Sequence, residues 1–230
     1  MQGGNFIFIF FLIIMIVNSV QRGRFDNPAE WLQSVLLLLP AIVIGITFHE
    51  AAHAYSAYKL GDQTPKVQGR VTLNPLKHIE PMGLIVLIFV GFGWGRPVQV
   101  NPYAFKGNRR LANLIVDVSG VTTNFIIAFL FTPLLFVVQD QIAFTLVLNI
   151  IYINIVLMMF NLLPVPPLDG FGIVTEIFDL RRFAWHRQIN NYGMFIIMAL
   201  VIFGVVGIIL GPVLNTIFNF FYSVWLPAFL

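Results

Sequence analysis

Residues 35–58 read VLLLLPAIVIGITFHEAAHAYSAY, an apolar stretch that carries two histidines and one glutamate near its carboxyl end. The stretch exceeds the roughly 20 residues that a helix needs to cross a bilayer. The whole chain shares this character, since 58% of its 230 residues are hydrophobic and only 10% are charged. A soluble domain carries roughly 25% charged residues. The composition therefore predicts a membrane protein and excludes an ordinary soluble fold.

Six further apolar runs accompany this stretch, at residues 6–17, 83–93, 111–138, 142–163, 194–210 and 213–230. As a helix, the run at 83–93 covers only about half of a roughly 30 Å hydrocarbon core, so we expect it to re-enter the membrane rather than cross it. The pattern predicts an all-α polytopic membrane protein with about six transmembrane helices. We expect one membrane-embedded domain over residues 1–230, with a first span at 6–17, a core at about 35–190 and a helix pair at 194–230.

The distribution of lysine and arginine predicts the orientation, because short cytoplasmic loops collect positive charge. With a re-entrant run at 83–93, the segments 59–110 and 164–192 share one side and hold eleven of the 13 basic residues, which leaves Arg22 and Arg24 on the other side. A crossing run weakens this split to nine against four. We therefore expect both termini in the cytoplasm. The net charge of only +3 does not suggest nucleic-acid binding.

Two short segments beside the re-entrant run alternate between apolar and polar residues. The first covers residues 67–73, where Val67, Val71 and Leu73 are separated by polar residues and a glycine, and the second covers residues 97–102. Alternation with a period of two is typical of a strand. We therefore expect a short β-like hairpin element around the re-entrant run.

Within the first stretch, His49 and His53 are four positions apart. Residues at this spacing share one face of a helix, so both imidazoles can bind one Zn²⁺. Glu50 lies about 100° round the helix, where it can act on a water beside the metal without being a ligand. The alternative is that three buried polar groups are satisfied by neighbours, but each costs several kcal/mol if it is unpaired in hydrocarbon, and a dication relieves all three together. Thiolate ligands and cysteine nucleophiles are excluded because the chain has no cysteine.

A catalytic zinc usually takes three protein ligands and leaves one position open. Asp169 is the preferred third ligand, because the prolines of the segment 164–167 interrupt the helix before it. Non-helical backbone at membrane depth occurs only where it is buried in protein or lines a wet cavity. Taken alone, Asp169 has an alternative role as the N-cap of a short helix at 171–180. Glu176 is the second choice, and the remaining candidates are Asp117, Asp179, His78 and His186.

The run at 111–138 carries a stripe of polar and small residues along one helical face, made of Asn113, Asp117, Gly120 and Asn124. Such a stripe faces the bundle or water, and Gly120 permits a close helix approach. Interhelical hydrogen bonding explains Asn113 and Asp117 equally well. Asn124 is the deepest of the four and the better candidate for a contact with substrate.

Together these motifs resemble the site-2 protease family of intramembrane zinc metalloproteases, in its compact prokaryotic form. The matching motifs are His49-Glu50-x-x-His53, Gly120-x-x-x-Asn124, and Asn161-x-x-Pro164 followed by Leu168-Asp169-Gly170. The resemblance covers roughly residues 35–190. Two departures are Ala52 and Val121, where many members have glycine and proline, and neither removes a reactive group.

The resemblance implies roles for individual residues. His49, His53 and Asp169 would be the ligands of one zinc ion, and Glu50 would be the general base. The auxiliary or substrate-binding residues would be Gly120, Asn124 and Asn161. The implied activity is hydrolysis of a peptide bond in or near the transmembrane segment of a single-span or signal-peptide-like substrate, within the lipid bilayer and near its cytoplasmic side. The alternatives are a membrane zinc transporter, or a metal-binding protein or scaffold without hydrolytic activity.

Overall fold

The computed structural model describes residues 2–21, 23, 25–90 and 93–229, and this part of the chain is mostly helical. Its α-helices are α1 (Gln2–Gln21), α2 (Pro28–Lys59), α3 (Thr64–Val67), α4 (Pro81–Val90), α5 (Arg109–Phe131), α6 (Gln141–Asn161), α7 (Asp169–Phe178), α8 (Ala184–Ile202) and α9 (Val205–Trp225). Among the described residues, four helical segments are long and apolar enough to cross a membrane. They are α2, α6, α5 extended to Phe136, and α9 extended to Ala228. Arg22 and Arg24, which the orientation argument places on their own side, lie outside the described residues.

The predicted division of the C-terminal helix pair is wrong. The apolar runs suggested spans at 194–210 and 213–230, but the structure separates α8 from α9 at Gly204. Gly204 adopts a left-handed backbone with a φ of +72°, a conformation that favours glycine and commonly ends a helix. Pro212, which lies between the two predicted spans, is inside α9. Four spans are thus supported by length and composition, and α1 and α8 complete the helical bundle.

The predicted strand at residues 67–73 is also wrong, and the described residues contain no strand. Val67 ends the helical turn α3, and Gly69 follows with a left-handed φ of +66°, which an extended strand does not contain. The alternation of burial is absent as well, since Val67 is 85% exposed whereas Arg70 is 6% exposed. The predicted hairpin is reduced to one antiparallel bridge between Ile79 and Gly95.

This bridge shows how the chain enters and leaves the predicted re-entrant segment. The backbone N–H of Arg96 donates to the carbonyl of His78 at 2.8 Å, so the residues before and after α4 lie side by side. α4 has ten residues and is therefore about 15 Å long. The chain accordingly advances along α4 and returns to the level at which it began.

The helices α2, α5 and α6 pack against one another and position the site. An apolar core lies where α5, α6 and α9 meet, and its most buried members are Val121, Ala128, Ile151, Ile155 and Phe221. Gly45 lets α2 approach α6, because a Cβ added there would lie 3.5 Å from Asn154 and closer still to Leu157. Around Gly45 and Asn154, where α2 meets α6, the contacts between the helices become polar.

Candidate metal centre

The two histidines of α2 face each other within the bundle. His49 and His53 are buried, and their Nε2 atoms lie 3.0 Å apart. Their ring planes are nearly perpendicular, at 83°, so the two imidazoles converge on one point rather than stack. The spacing of four residues therefore directs both Nε2 atoms towards one point, as the sequence predicts.

Asp169 joins this pair from the start of α7. Its Oδ2 atom lies 3.1 Å from Nε2 of His49 and 3.3 Å from Nε2 of His53. The three side chains form a group that has the geometry to hold a metal ion. Among the described residues, Leu168 occupies the N-cap position of α7 and makes no side-chain cap bond, so Asp169 does not have the alternative capping role.

Glycine permits the close packing that brings Asp169 into place. A Cβ added to Gly170 would lie 2.6 Å from the carbonyl oxygen of Leu163, so only glycine lets α7 begin directly beneath the end of α6. Gly120 has a similar role on α5, where an added Cβ would lie 2.6 Å from Cε1 of His49 and closer still to Nε2 of His53. The imidazoles thus occupy the space that a side chain at position 120 would fill.

The remaining ring nitrogens determine where the protons of the two imidazoles lie. Nδ1 of His53 is 2.7 Å from the backbone carbonyl of Val116, which can only accept a hydrogen bond. Nδ1 of His49 is 2.7 Å from Oδ1 of Asn124. Both Nδ1 atoms therefore carry the proton, and in the neutral rings both Nε2 atoms present lone pairs to each other.

The orientation of the Asn124 amide follows from its other partners. Its Nδ2 donates to the carbonyl of Gly45 at 3.1 Å and to Oδ1 of Asn154 at 2.8 Å. Asn154 in turn donates from its Nδ2 to the carbonyl of Ile150 at 2.8 Å. Because the two backbone carbonyls are unambiguous acceptors, the oxygen of Asn124 must face His49.

This arrangement fits a bound dication. Two imidazole lone pairs and one carboxylate oxygen meet at hydrogen-bond distance, and neutral rings place no proton among them. Oδ2 of Asp169 is buried and has no hydrogen-bond partner among the described residues. Two histidines and one carboxylate form a frequent ligand set of catalytic zinc, and histidine ligands usually donate their second N–H to a carbonyl or amide oxygen, as both do here.

Glu50 lies beside the group and is not part of it. Its Oε2 accepts a hydrogen bond from the backbone N–H of Val98 at 2.9 Å and lies 3.9 Å from Nη2 of Arg70. The carboxylate is therefore held by other partners and is not one of the three grouped ligands. The sequence assigns no role at the site to Val98 or to Arg70.

A cavity of about 340 Å³ opens next to His49 and Glu50. Its walls come from α2, α6, α8 and the segment after α4, and they are mainly apolar. They include Ile46, Trp94, Leu157, Phe160, Met194 and Ile197. The site therefore combines a polar centre with an apolar chamber.

The auxiliary residues occupy different places. Asn161 borders the cavity, and its Nδ2 donates to the carbonyl of Leu157 at 2.9 Å. Asn124 is completely buried and contacts His49, so it supports a ligand rather than facing the cavity. Asn154 completes this chain of amides and was missed because it appears in the sequence as one polar residue within an apolar run.

The other candidate ligands lie outside the group of three. Glu176 accepts from Nδ2 of Asn113 at 2.9 Å and pairs with Arg181. Asp117 packs against α7, where a Cβ added to Gly172 would lie 2.7 Å from its Cγ. Glu176, the second choice for the third ligand, therefore links α7 to α5.

The last three candidate ligands also lie outside the group of three. His78 donates from Nε2 to the carbonyl of Thr72 at 2.8 Å, and burial lowers its pKa. His186 stacks on Phe171 with ring centroids 5.1 Å apart. Asp179 follows the last residue of α7 with a left-handed backbone.

Comparisons with known proteins agree with this chemistry. The profile of peptidase family M50 matches residues 138–204. A Bacillus subtilis protein named "Putative zinc metalloprotease YwhC" is 38% identical over 204 residues, which cover 83% of this chain and 93% of that protein. A Mycolicibacterium smegmatis protein named "Putative zinc metalloprotease Rip2" is 26% identical over 185 residues, which cover 76% of this chain and 70% of that protein.

A Mycobacterium tuberculosis protein with the same Rip2 name is 28% identical over 159 residues, which cover 65% of this chain and 60% of that protein. No solved structure matches the chain. The extensive similarity to the Bacillus subtilis protein and the profile match point to the same class of enzyme as the metal-binding geometry. The chain belongs to peptidase family M50 and is a zinc metalloprotease.

Proposed function

We propose that the protein hydrolyses a peptide bond in or next to the membrane-spanning segment of another membrane protein, with zinc held by His49, His53 and Asp169. One observation carries this proposal. The histidines belong to α2, a helix long and apolar enough to cross a membrane, and His49 and Glu50 border an apolar cavity. A substrate that reaches this cavity must present apolar side chains to its walls.

Cleavage in this cavity also sets a requirement for the conformation of the substrate. A helix ties up its backbone carbonyls in internal hydrogen bonds, so a spanning substrate has to unwind before one of its peptide bonds becomes reactive. An extended single-span or signal-peptide-like segment then exposes the carbonyl while its apolar side chains remain in contact with the walls. Residues 67–73, which were predicted to be a strand, cannot pair with such a segment through a strand edge, because they form no strand.

The chain supplies the acid–base and orienting groups. Zinc held by the three ligands supplies Lewis-acid chemistry, which acidifies water and polarises a carbonyl. Glu50 borders the cavity with Oε2 fastened to Val98, so its other oxygen can take a proton from water and pass it to the leaving amine. Within the described part of the chain, the Asn161 side chain makes one hydrogen bond, to the carbonyl of Leu157, so its amide oxygen and second N–H remain for the substrate backbone.

Glu50 also favours hydrolysis over the zinc-transport alternative. A transport path requires ligands that exchange along a route for the ion. Here a carboxylate outside the group of three ligands is held by a backbone N–H and borders the cavity, which favours a base over a ligand of an exchange path.

For the membrane arrangement we propose six spans with both termini in the cytoplasm and the site near the cytoplasmic face. His49 and His53 lie in the carboxyl half of α2, and Asp169 follows the carboxyl end of α6, so α2 and α6 must run in the same direction. A re-entrant α4 leaves one further span, α5, between them. The bridge between Ile79 and Gly95 supports this path, because the chain returns to the level at which α4 began.

Single cysteines test this topology, because the chain has none of its own. Lys106 and Gln139 are exposed and precede and follow α5. In intact cells, a membrane-impermeant thiol reagent should label Gln139→Cys and not Lys106→Cys, whereas both should react after lysis. Equal labelling of the two in intact cells would contradict the arrangement.

The activity is tested with purified protein in liposomes and a panel of single-span reporter substrates. We expect one zinc per chain in the wild type and in Glu50→Gln, and cleavage that falls by about 10²- to 10⁴-fold in Glu50→Gln because the general base is lost. The matched control is Glu80→Gln, which alters a partly exposed glutamate paired with Arg96 at 3.4 Å. Undiminished cleavage by zinc-loaded Glu50→Gln would remove Glu50 from the role of base. Zinc flux without cleavage would favour the transport alternative.

A further inference from the structure

Arg70 is a buried cation that the proposed mechanism does not yet use. It follows Gly69, whose left-handed φ of +66° turns the chain away from α3. The backbone N–H of Arg70 donates to the carbonyl of Pro65 at 2.8 Å, which closes the turn and directs the side chain into the protein. Only 6% of the residue is exposed.

The guanidinium group connects two other parts of the chain. Its Nη2 donates to the backbone carbonyl of Arg96 and lies 3.9 Å from Oε2 of Glu50. Burial lowers the pKa of Arg70, and the Glu50 carboxylate acts in the opposite direction. Within the described residues, Glu50 is the only carboxylate within ion-pair distance of this cation.

The two carboxylate oxygens of Glu50 have different surroundings. Oε2 receives the N–H of Val98 and faces the guanidinium of Arg70, whereas Oε1 has no hydrogen bond among the described residues. Oε1 lies on the side of Gly95, 3.8 Å from where a Cβ of that glycine would be. Gly95 and Glu50 both border the cavity. Oε2 is thus anchored, and Oε1 remains available to accept a proton.

We propose that Arg70 is a positioning residue that holds the Glu50 carboxylate in its reactive orientation and fastens it to the cavity wall at residues 95–98. This inference rests on the proposed function of Glu50 as the general base. Among the described residues, Arg70 belongs neither to the ligand group nor to the lining of the cavity, so it acts through Glu50.

Glu50 needs such a positioning residue because its side chain is flexible. A general base must lie within hydrogen-bond reach of the proton that it removes. The glutamate side chain has three rotatable bonds, and the Val98 N–H by itself provides one anchor in a wall that lacks regular sheet pairing. Arg70 adds a second anchor, and its bond to the Arg96 carbonyl makes the wall and the base move together.

The first test asks whether Arg70 and Glu50 are coupled, and it needs no substrate. Arg70→Met, Glu50→Gln and the double variant are compared by their apparent unfolding temperatures in detergent. Each single variant leaves a buried charge without its partner, so the double variant should lose less than the sum of the two single losses. Additive losses would overturn the proposed pairing.

The second test asks what Arg70 does for catalysis in reporter cleavage. Because a misplacement of about 1 Å can cost roughly 10²-fold, we expect kcat to fall by about that factor in Arg70→Met, with KM and zinc content close to those of the wild type. Arg70→Lys keeps a cation and should recover part of this loss. The matched control is Arg109→Met, which removes an exposed arginine stacked on Tyr103, and it should cleave like the wild type.

The outcomes separate this inference from the proposed function. An unchanged kcat in Arg70→Met, or a loss of activity in proportion to lost zinc, would overturn the positioning role. Failure of the zinc-loaded wild type and of Arg109→Met to cleave any reporter would instead count against the proposed function. The unfolding comparison would then still decide whether Arg70 holds Glu50.

Discussion

The Nδ1 atom of His49 on α2 lies 2.7 Å from the Oδ1 atom of Asn124 on α5, and the Asn124 amide is oriented by a backbone carbonyl and by Asn154. The tautomer of one histidine of the candidate metal centre is thus set by hydrogen bonds from side chains on two other helices. Partners of this kind raise the basicity of a ligand and hold its ring in place. The packing of α2, α5 and α6 is therefore connected directly to the metal chemistry.

Asn124→Ala should weaken zinc binding by about 10- to 100-fold, because His49 loses the acceptor that orients it. The measurement is a competition titration with a chelator of known affinity. The control is Asn149→Ala, which removes an amide that bonds α6 to the Leu37 carbonyl of α2, far from the centre in sequence and outside the ligand group. Equal zinc affinity in the two variants would show that the Asn124 contact contributes nothing specific to the metal.

Gly120→Ala should expel zinc more completely than the loss of Asn124. The added Cβ would lie 2.6 Å from the His49 ring and closer to that of His53, so the two imidazoles have to move apart. Gly207→Ala in α9 is the control, because nothing lies within 4 Å of the position of its Cβ. We expect zinc content to fall well below one per chain in the first variant and to be unchanged in the second. Full zinc content in Gly120→Ala would mean that the helices separate at little cost.

The polar centre was accessible to sequence reasoning because its signals are local. The spacing of His49 and His53 on one helix determines their common face, and the prolines before Asp169 mark where helix α6 must end. Gly120 was expected to allow close helix approach, and the structure shows the imidazoles in the space that its missing side chain leaves.

The features that sequence reasoning missed depend on contacts between distant residues. Arg70 lies in an alternating pattern that suggested a strand, but its side chain is buried, where it contacts Glu50 and the Arg96 carbonyl. Asn154 finds its partner Asn124 thirty positions away, on another helix. Likewise, Gly204 ends α8 through its backbone conformation, whereas the apolar runs predicted the break at residues 211–212, which lie inside α9.

Glu176 and Asp169 should respond differently to substitution, although both were candidates for the third ligand. Asp169→Ala should lose zinc because Oδ2 contacts both imidazoles. Glu176→Ala should keep one zinc per chain and lose about 1.5–3 kcal/mol of unfolding free energy, since it removes charged hydrogen bonds to Asn113 and Arg181 that fasten α7. Zinc analysis and denaturant unfolding in detergent check both. Loss of zinc from Glu176→Ala with unaltered stability would reopen its role as a ligand.

His78 should make the protein less stable in mild acid. The side chain is completely buried and donates from Nε2 to the carbonyl of Thr72, while Nδ1 is buried with no hydrogen-bond partner among the described residues. Burial lowers its pKa from 6.5, and the positive charge of Arg70 acts in the same direction. The unfolded chain therefore takes up this proton more readily than the folded one, so the stabilising effect is complete above pH 6.5 and is lost as the pH falls through the lowered pKa.

His78→Gln keeps a donor for the Thr72 carbonyl but does not titrate, so it isolates this effect. We expect the apparent unfolding temperature of the wild type to fall more steeply below pH 6.5 than that of His78→Gln, with the two curves parallel at higher pH. His186→Gln is the comparison, because this imidazole at the start of α8 stacks on Phe171, away from the wall that holds Glu50, and is less buried than His78. Its substitution should therefore change the acid limb of the curve less than His78→Gln does. Parallel curves for the wild type and His78→Gln throughout the acid range would mean that the folded protein accommodates the protonated ring, and that the segment from Thr72 to His78 yields without loss of stability.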